Sequence, residues 1–340
     1  MANNDVKIPP LLPIPPDLCK PGNSLYDPDT TGGGKPDDPD IQLGLIKDIQ
    51  KKPHCQFCHL VLTSLGPGLP SAENEQPISV IMSWNTDGPI PDLAKPWDLN
   101  LFPEITLLVN NTPDPLKQTF FTRFIKDQIN FGMVRNWLTA CKNWHGSVCD
   151  KSKMLGDTVE DPSIEIPHFH LMDVTDKCIV LAPPDPKYIA LSYIWGNIDV
   201  ETTLRLLKQN AAQLAESGAL LDPKYCDRIP LTILDVMQVV QELNFHYLWV
   251  DTLCIEQDDI SIQGSKSSAI KKMDLVYGAA HLTIMATTGV NTNAGLPGLH
   301  PNTRGMVQPI EEIFLGLRLR FKQKHQDYIR DSAYYMRAWP

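Results

Sequence analysis

The 340-residue chain has no run of about 18 apolar residues, so no membrane-spanning helix is expected. It has no excess of positive charge either. With 30 basic against 40 acidic side chains the balance is −10, which argues against nucleic acid as a non-specific partner. The start, MANNDVKIPPLLPIPP, lacks the charged, then apolar, then small order of a secretory signal. Cysteine is sparse: 8 over the whole chain do not make the framework of a secreted disulfide scaffold. No G-x-G-x-x-G accompanies a strand, which disfavours Rossmann-type cofactor use, and no G-x-S-x-G elbow is present for a serine hydrolase. GGGKPDD is not a phosphate loop, because Pro36 stands where Ser or Thr would have to follow the lysine. These absences lead us to expect a soluble, intracellular, cytoplasmic protein.

What is present is enough for a sizeable core, with 42% hydrophobic residues and 7 tryptophans. Residues 1–50 are rich in Pro, Gly and Asp and read as a disordered arm, since too few apolar groups offset the entropy of ordering. Its PxxP spacings, Pro10 to Pro13 and Pro13 to Pro16, leave open a polyproline contact beside the plainer reading of a solvated tail. Residues 51–155 read as a mainly helical, cysteine-containing section. In it, CQFCHLVLTSL is a short helix, and Val134, Leu138, Cys141 and Val148 recur at roughly helical spacing.

From residue 187 strands alternate with helices. KYIALSY is a short apolar run, and TTLRLLKQNAAQLAESGALL reads as an amphipathic helix. Pro230 opens PLTILDVMQVVQELN, with Ile233, Val236, Met237, Val240 and Leu243 on one face. YLWV has no polar alternation and suits a strand covered on both sides. AIKKMDLVYGAA is read as one helix and HLTIMAT as a strand. The expectation is an α/β domain over residues 187–340, with a mostly parallel sheet flanked by helices. Sites in such sheets lie beyond the carboxyl ends of the strands. That rim would carry Ser192, Tyr193, Trp195, Asp251, Glu256, Gln257 and Asp258. Asp251 either faces a ligand there or caps the following turn. Cys254 lies at the same rim, with His246 and His281 as conceivable neighbours; the alternative is an inert, packed thiol.

A second constellation is Cys55-x2-Cys58 with Cys141, His145 and Cys149. The first pair has the spacing of a zinc half-site, and the second set falls along one helix face at i, i+4 and i+8. The competing reading is that both first cysteines are packed in an apolar helix.

Taken together, YIALSYIWG (188–196), IPLTILD (229–235), YLWVDTLCIEQDD (247–259), MDLVYGAAHLTIMAT (273–287), GLPG (295–298) and MRAW (336–339) resemble the fungal heterokaryon incompatibility (HET) domain. The resemblance singles out Ser192, Tyr193, Trp195, Gly196, Asp251, Cys254, Gln257, Asp258, Met273, Tyr277 and Ala280. It implies an effector of fungal non-self recognition and programmed cell death that works through protein–protein assembly, including self-assembly. It also implies a distant likeness to Toll/interleukin receptor (TIR) domains, which are flavodoxin-like. Some of those cleave NAD with a glutamate, so the resemblance leaves open an NAD hydrolase switched on by oligomerisation. In that reading Asp251 and Glu256 would be the catalytic carboxylates and Trp195 would stack on a ring of NAD. Two departures argue against activity. No acidic residue lies between Asp259 and Asp274, where the family commonly carries one. The chain also stops at Pro340, before the T-x-QE motif that usually follows, so the domain end is expected to be truncated.

Overall fold

A computed structural model describes residues 41–65, 79–82, 104–109, 122–145, 160–261, 264–305, 308–314, 317–322 and 332–336. Its strands are β1 (Ile41–Leu45), β2 (Ser79–Met82), β3 (Glu104–Val109), β4 (Thr122–Arg123), β5 (His170–Asp173) and β6 (Cys178–Leu181). They continue with β7 (Tyr188–Ser192), β8 (Tyr247–Trp249), β9 (Leu282–Met285), β10 (Ile310–Phe314) and β11 (Leu317–Lys322). Among the described residues, no helix is long and apolar enough to cross a membrane.

The chain divides into two compact units. The first holds residues up to Val109, Phe121–Phe124 and Gln308–Gln323. It contains an antiparallel β1–β2 pair and a sheet ordered β10-β11-β3-β4, antiparallel except for β3 with β4. The expected helix CQFCHLVLTSL is there as Gln56–Leu65, burying Cys58, Leu60 and Val61. It packs on β10 and β11. β1 and the helix Ile46–Gln50 occupy the last stretch of the Pro-rich arm; the rest of that arm lies outside the described residues.

The second unit carries the α/β core. Its sheet is ordered β6-β5-β8-β7-β9. β7 runs parallel to both β8 and β9, while β5 is antiparallel to β6 and β8. The sheet is therefore mixed, with a parallel half and an antiparallel half. Tyr188, Ile189, Ala190 and Leu191 of β7 are wholly buried, as are Leu248 and Trp249 of β8, which explains why neither strand alternates polar and apolar residues.

The helix Leu231–Glu242 covers the sheet with the expected face: Ile233, Val236, Met237, Val240 and Leu243 are all buried. Pro230 is its N-cap residue. Asn244, at φ 61°, ends it in the left-handed conformation, and Phe245 N–H closes back on the Val240 carbonyl at 3.0 Å. Leu138 and Val134 of the helix Phe131–His145 pack on this core, whereas Val148 lies outside the described residues.

Two helical expectations are corrected. TTLRLLKQNAAQLAESGALL is not one helix. Only Ala211–Leu214 and a 3-10 turn at Ala219–Leu221 are helical. Leu204 and Leu206 are instead buried in an extended segment, where their N–H groups bond to the carbonyls of Arg228 and Thr252. Tertiary pairing overrides helical propensity there, and Gly218 at φ 80° breaks the remainder. AIKKMDLVYGAA splits into Ser265–Lys271 and Met273–Ala279 at Lys272. The kink leaves Ile270 exposed and places the Lys272 ammonium 2.6 Å from Glu165.

Candidate functional site

Parallel pairing puts the carboxyl ends of β7 and β8 at the same rim, with Ala190 beside Trp249. β7 runs on into Tyr193, Trp195 and Gly196, and β8 into Asp251, so the two strand-end motifs meet. The Trp195 indole N–H donates to both Asp251 carboxylate oxygens, at 3.1 and 2.9 Å. Thr252 N–H donates to Oδ1 of the same carboxylate at 2.8 Å. Beneath them the Tyr193 hydroxyl lies 3.1 Å from Thr252 Oγ1. Burial, then the charge of Asp251, raises the Tyr193 phenol well above its ordinary range, so it stays a neutral hydroxyl. Ser192 Oγ is 2.7 Å from the hydroxyl of the buried Tyr334.

The exit from Asp251 is a tied loop. Gln257 Nε2 donates to the carbonyls of Asp251 (2.7 Å) and Ile255 (3.0 Å), and its own N–H reaches the Leu206 carbonyl at 2.9 Å. Asp258 accepts the Lys208 N–H at 3.0 Å. Asp259 is buried and accepts from Lys208 Nζ (2.8 Å), Ser265 N–H (2.7 Å) and Ser261 Oγ (3.2 Å). The Lys208 bond first, and these backbone and hydroxyl donors after it, hold the Asp259 carboxyl down at about 2. Glu256 differs: it is half-buried, and its carboxylate has no hydrogen-bond partner among the described residues.

Cys254 is a packed thiol, not an exposed nucleophile. It is 2% exposed and accepts from Val250 N–H at 3.4 Å. Burial pushes it up to about 12. Met273, Tyr277 and Ala280 are half-buried and pack against the core rather than facing the rim. Tyr277 stands edge-on to Trp249 with ring centroids 5.6 Å apart.

Gly196 has φ 65°, and a Cβ there would lie 2.7 Å from Asn291 Cβ and 2.9 Å from the Val290 carbonyl. Only glycine lets the loop after β7 touch the loop at 290–292, where Thr292 N–H bonds the Trp195 carbonyl at 3.3 Å. That second loop is pinned to the helix Leu231–Glu242. Asp235, 2% exposed, accepts Leu296 N–H at 2.7 Å and lies 2.8 Å from His300 Nε2. Thr232 Oγ1 accepts Gly295 N–H at 3.1 Å. Asp235, His300 and Lys208 were not picked out by the sequence reading, and Asp259 entered it only as the last residue of YLWVDTLCIEQDD. The only available signal was that Asp235 closes IPLTILD and precedes GLPG in the chain; partners this distant in sequence leave no spacing to read.

For the cysteine and histidine set, Cys55 and Cys58 belong to the first unit and Cys141 to the second. Cys58 N–H points at Cys55 Sγ at 3.4 Å. The His145 side chain and Cys149 lie outside the described residues. Among the described residues, no group of three or more His, Cys, Asp or Glu side chains is placed to hold a metal ion.

Residues 188–340 match the family described as Heterokaryon incompatibility protein (HET). The chain is also similar to heterokaryon incompatibility protein 6, OR allele, of Neurospora crassa. The two are 30% identical over 144 residues, covering 37% of this chain and 19% of that protein. This chain thus matches only about a fifth of the relative's length. No solved structure matches the chain. The likeness to TIR domains is therefore not borne out, and the antiparallel half of the sheet departs from the all-parallel flavodoxin pattern.

Proposed function

Because residues 188–340 belong to the heterokaryon incompatibility family, we propose that the chain acts in fungal incompatibility as an effector of non-self recognition and cell death, working through protein–protein assembly. The observation that carries this reading is the fully bonded state of Asp251. With Trp195 and Thr252 donating to it, the carboxylate stabilises the join between two strand-end loops. A rim built this way presents a fixed shape to a partner. The test is controlled expression of the chain in a filamentous fungus, scored for growth arrest and loss of viability. Arrest that is abolished by Gly196→Val, in protein still present at normal level, supports the reading; normal growth at high expression of the parent chain overturns it.

A second reading rests on Glu256. Among the described residues its carboxylate has no hydrogen-bond partner, while it sits five residues after the held Asp251, which suits a group left for an NAD ribose. In that case purified, concentrated protein consumes NAD and Glu256→Ala does not. No consumption by folded protein at any concentration removes the hydrolase and leaves assembly.

A further inference from the structure

The two edges of the five-stranded sheet are treated differently. β6 is covered: the helix Ala211–Leu214 packs on it, Gly218 and Leu220 N–H groups bond the Asp176 and Lys177 carbonyls at its entry, and Pro183 and Pro184 follow it. β9 has none of these protections. It pairs with β7 along one side, and among the described residues nothing pairs with the other. Its residues Leu282, Thr283 and Ile284 are half-buried and Met285 is 56% exposed, in contrast to the wholly buried Tyr188, Ile189, Ala190 and Leu191 of β7. Edge strands are usually blunted by charge, proline, a bulge or a cover, because a free row of N–H and C=O groups templates another strand. Here the charge is missing over a long stretch. No Asp, Glu, Lys or Arg occurs between Asp274 and Arg304, in a chain that carries 70 of them.

We propose that β9 is the docking edge for a second copy of this chain, joining the two sheets through an antiparallel β9–β9 pair about a two-fold axis at Thr283. His281 N–H bonds the Tyr188 carbonyl at 2.9 Å, so His281 and Thr283 turn their backbone groups towards β7. By alternation, Leu282 and Ile284 turn theirs outward. Two copies then exchange bonds between Leu282 of one and Ile284 of the other, in both directions, and Thr283 faces Thr283 as a close non-hydrogen-bonded pair. A second copy is favoured over a charged peptide for an electrostatic reason. The chain has a net charge of −10, so copies repel except where they meet without charge, and this edge offers an ion pair to no one. The two-fold arrangement also uses each edge once and closes.

This inference rests on the assembly reading above and names its partner. The test uses the full chain in sedimentation velocity over a range of concentrations, with three variants. A dimer that grows with concentration is expected. Ile284→Pro removes an outward N–H and keeps the β7 ladder, and Met285→Lys adds a charge at the edge; both are expected to abolish the dimer while leaving the folded far-UV spectrum. Thr283→Cys is expected to crosslink two copies under mild oxidation, where the parent chain does not, because a non-hydrogen-bonded antiparallel pair has disulfide spacing. A monomer at every concentration overturns the proposal. So does a dimer that survives in both edge variants without a Thr283→Cys crosslink. Should Ile284→Pro fail to fold, Met285→Lys and the crosslink decide. A fungal growth arrest that persists in a monomeric Met285→Lys variant keeps the β9 dimer but overturns it as the assembly behind incompatibility, a reading that itself still stands.

Discussion

The Trp195 indole N–H is shared between the two carboxylate oxygens of Asp251, across 56 residues of chain. A charged acceptor makes this a strong contact, worth roughly 1.5–3 kcal/mol when one partner is removed. Trp195→Phe and Asp251→Ala are each expected to destabilise the protein. Together they should cost less than the sum of the two, by about 1 kcal/mol or more, in urea unfolding. Strictly additive losses would mean that the two residues stabilise the rim independently.

Asp235 joins two family segments that are far apart in the chain. Asp235→Ala strips the acceptor from the buried Leu296 N–H and from His300, so a loss of roughly 2–3 kcal/mol is expected. The loop at 290–300 should then become the first site of limited proteolysis. A change below about 0.5 kcal/mol would place it among ordinary surface substitutions and refute the anchoring role.

Gly196→Ala combines a left-handed backbone with a Cβ 2.7 Å from Asn291 Cβ. The conformational cost alone is about 1–2 kcal/mol, and the close contact adds to it. Thermal unfolding of Gly196→Ala beside Gly218→Ala separates the two terms, since Gly218 shares the positive φ but has nothing within 4 Å of its Cβ. The Gly196 variant is expected to melt lower.

Asp259 sets a pH dependence. Its carboxyl falls from the usual 3.8 to about 2 in the folded protein. A folded-state value below the unfolded one contributes stability that is present above the unfolded value and is lost as pH falls through the folded one. Between pH 4 and 2 the parent chain should therefore lose an increment of thermal stability that Asp259→Asn lacks. Parallel acid titrations of the two would contradict the assignment.

Cys254 provides a probe of unfolding. With the thiol buried and pushed up to about 12, it should resist alkylation at neutral pH in folded protein and react fully in denaturant. Rapid labelling of Cys254 under native conditions, located by peptide mass, would reopen the nucleophile reading.

Much of the α/β core was legible because burial dictates pattern. YLWV is read as a strand covered on both faces and YIALS as a short apolar run because their residues are almost all buried, and the face Ile233, Val236, Met237, Val240 and Leu243 follows from helical period alone. The pattern failed where apolar residues serve an extended segment: Leu204 and Leu206 fit a helix in sequence but are held by backbone bonds to Arg228 and Thr252. It also did not show that the helix breaks at Lys272, whose ammonium meets Glu165, 107 residues away.

The sequence by itself determined the strands β7, β8 and β9, the main helix, the motif residues and the rim on which two of the motifs end, whereas β2, β3 and β4 fall in a section it read as mainly helical. Which residues on that rim are bonded and which are free was decided only by tertiary structure. Asp251 and Glu256 are both carboxylates in one short segment, yet the first is held by Trp195 and the second has no hydrogen-bond partner among the described residues, because hydrogen bonding depends on what the fold brings within about 3 Å. The pairing of Asp235 with His300, and the bare edge of β9, belong to the same class: both arise from contacts, made or missing, between parts of the chain that no local spacing connects.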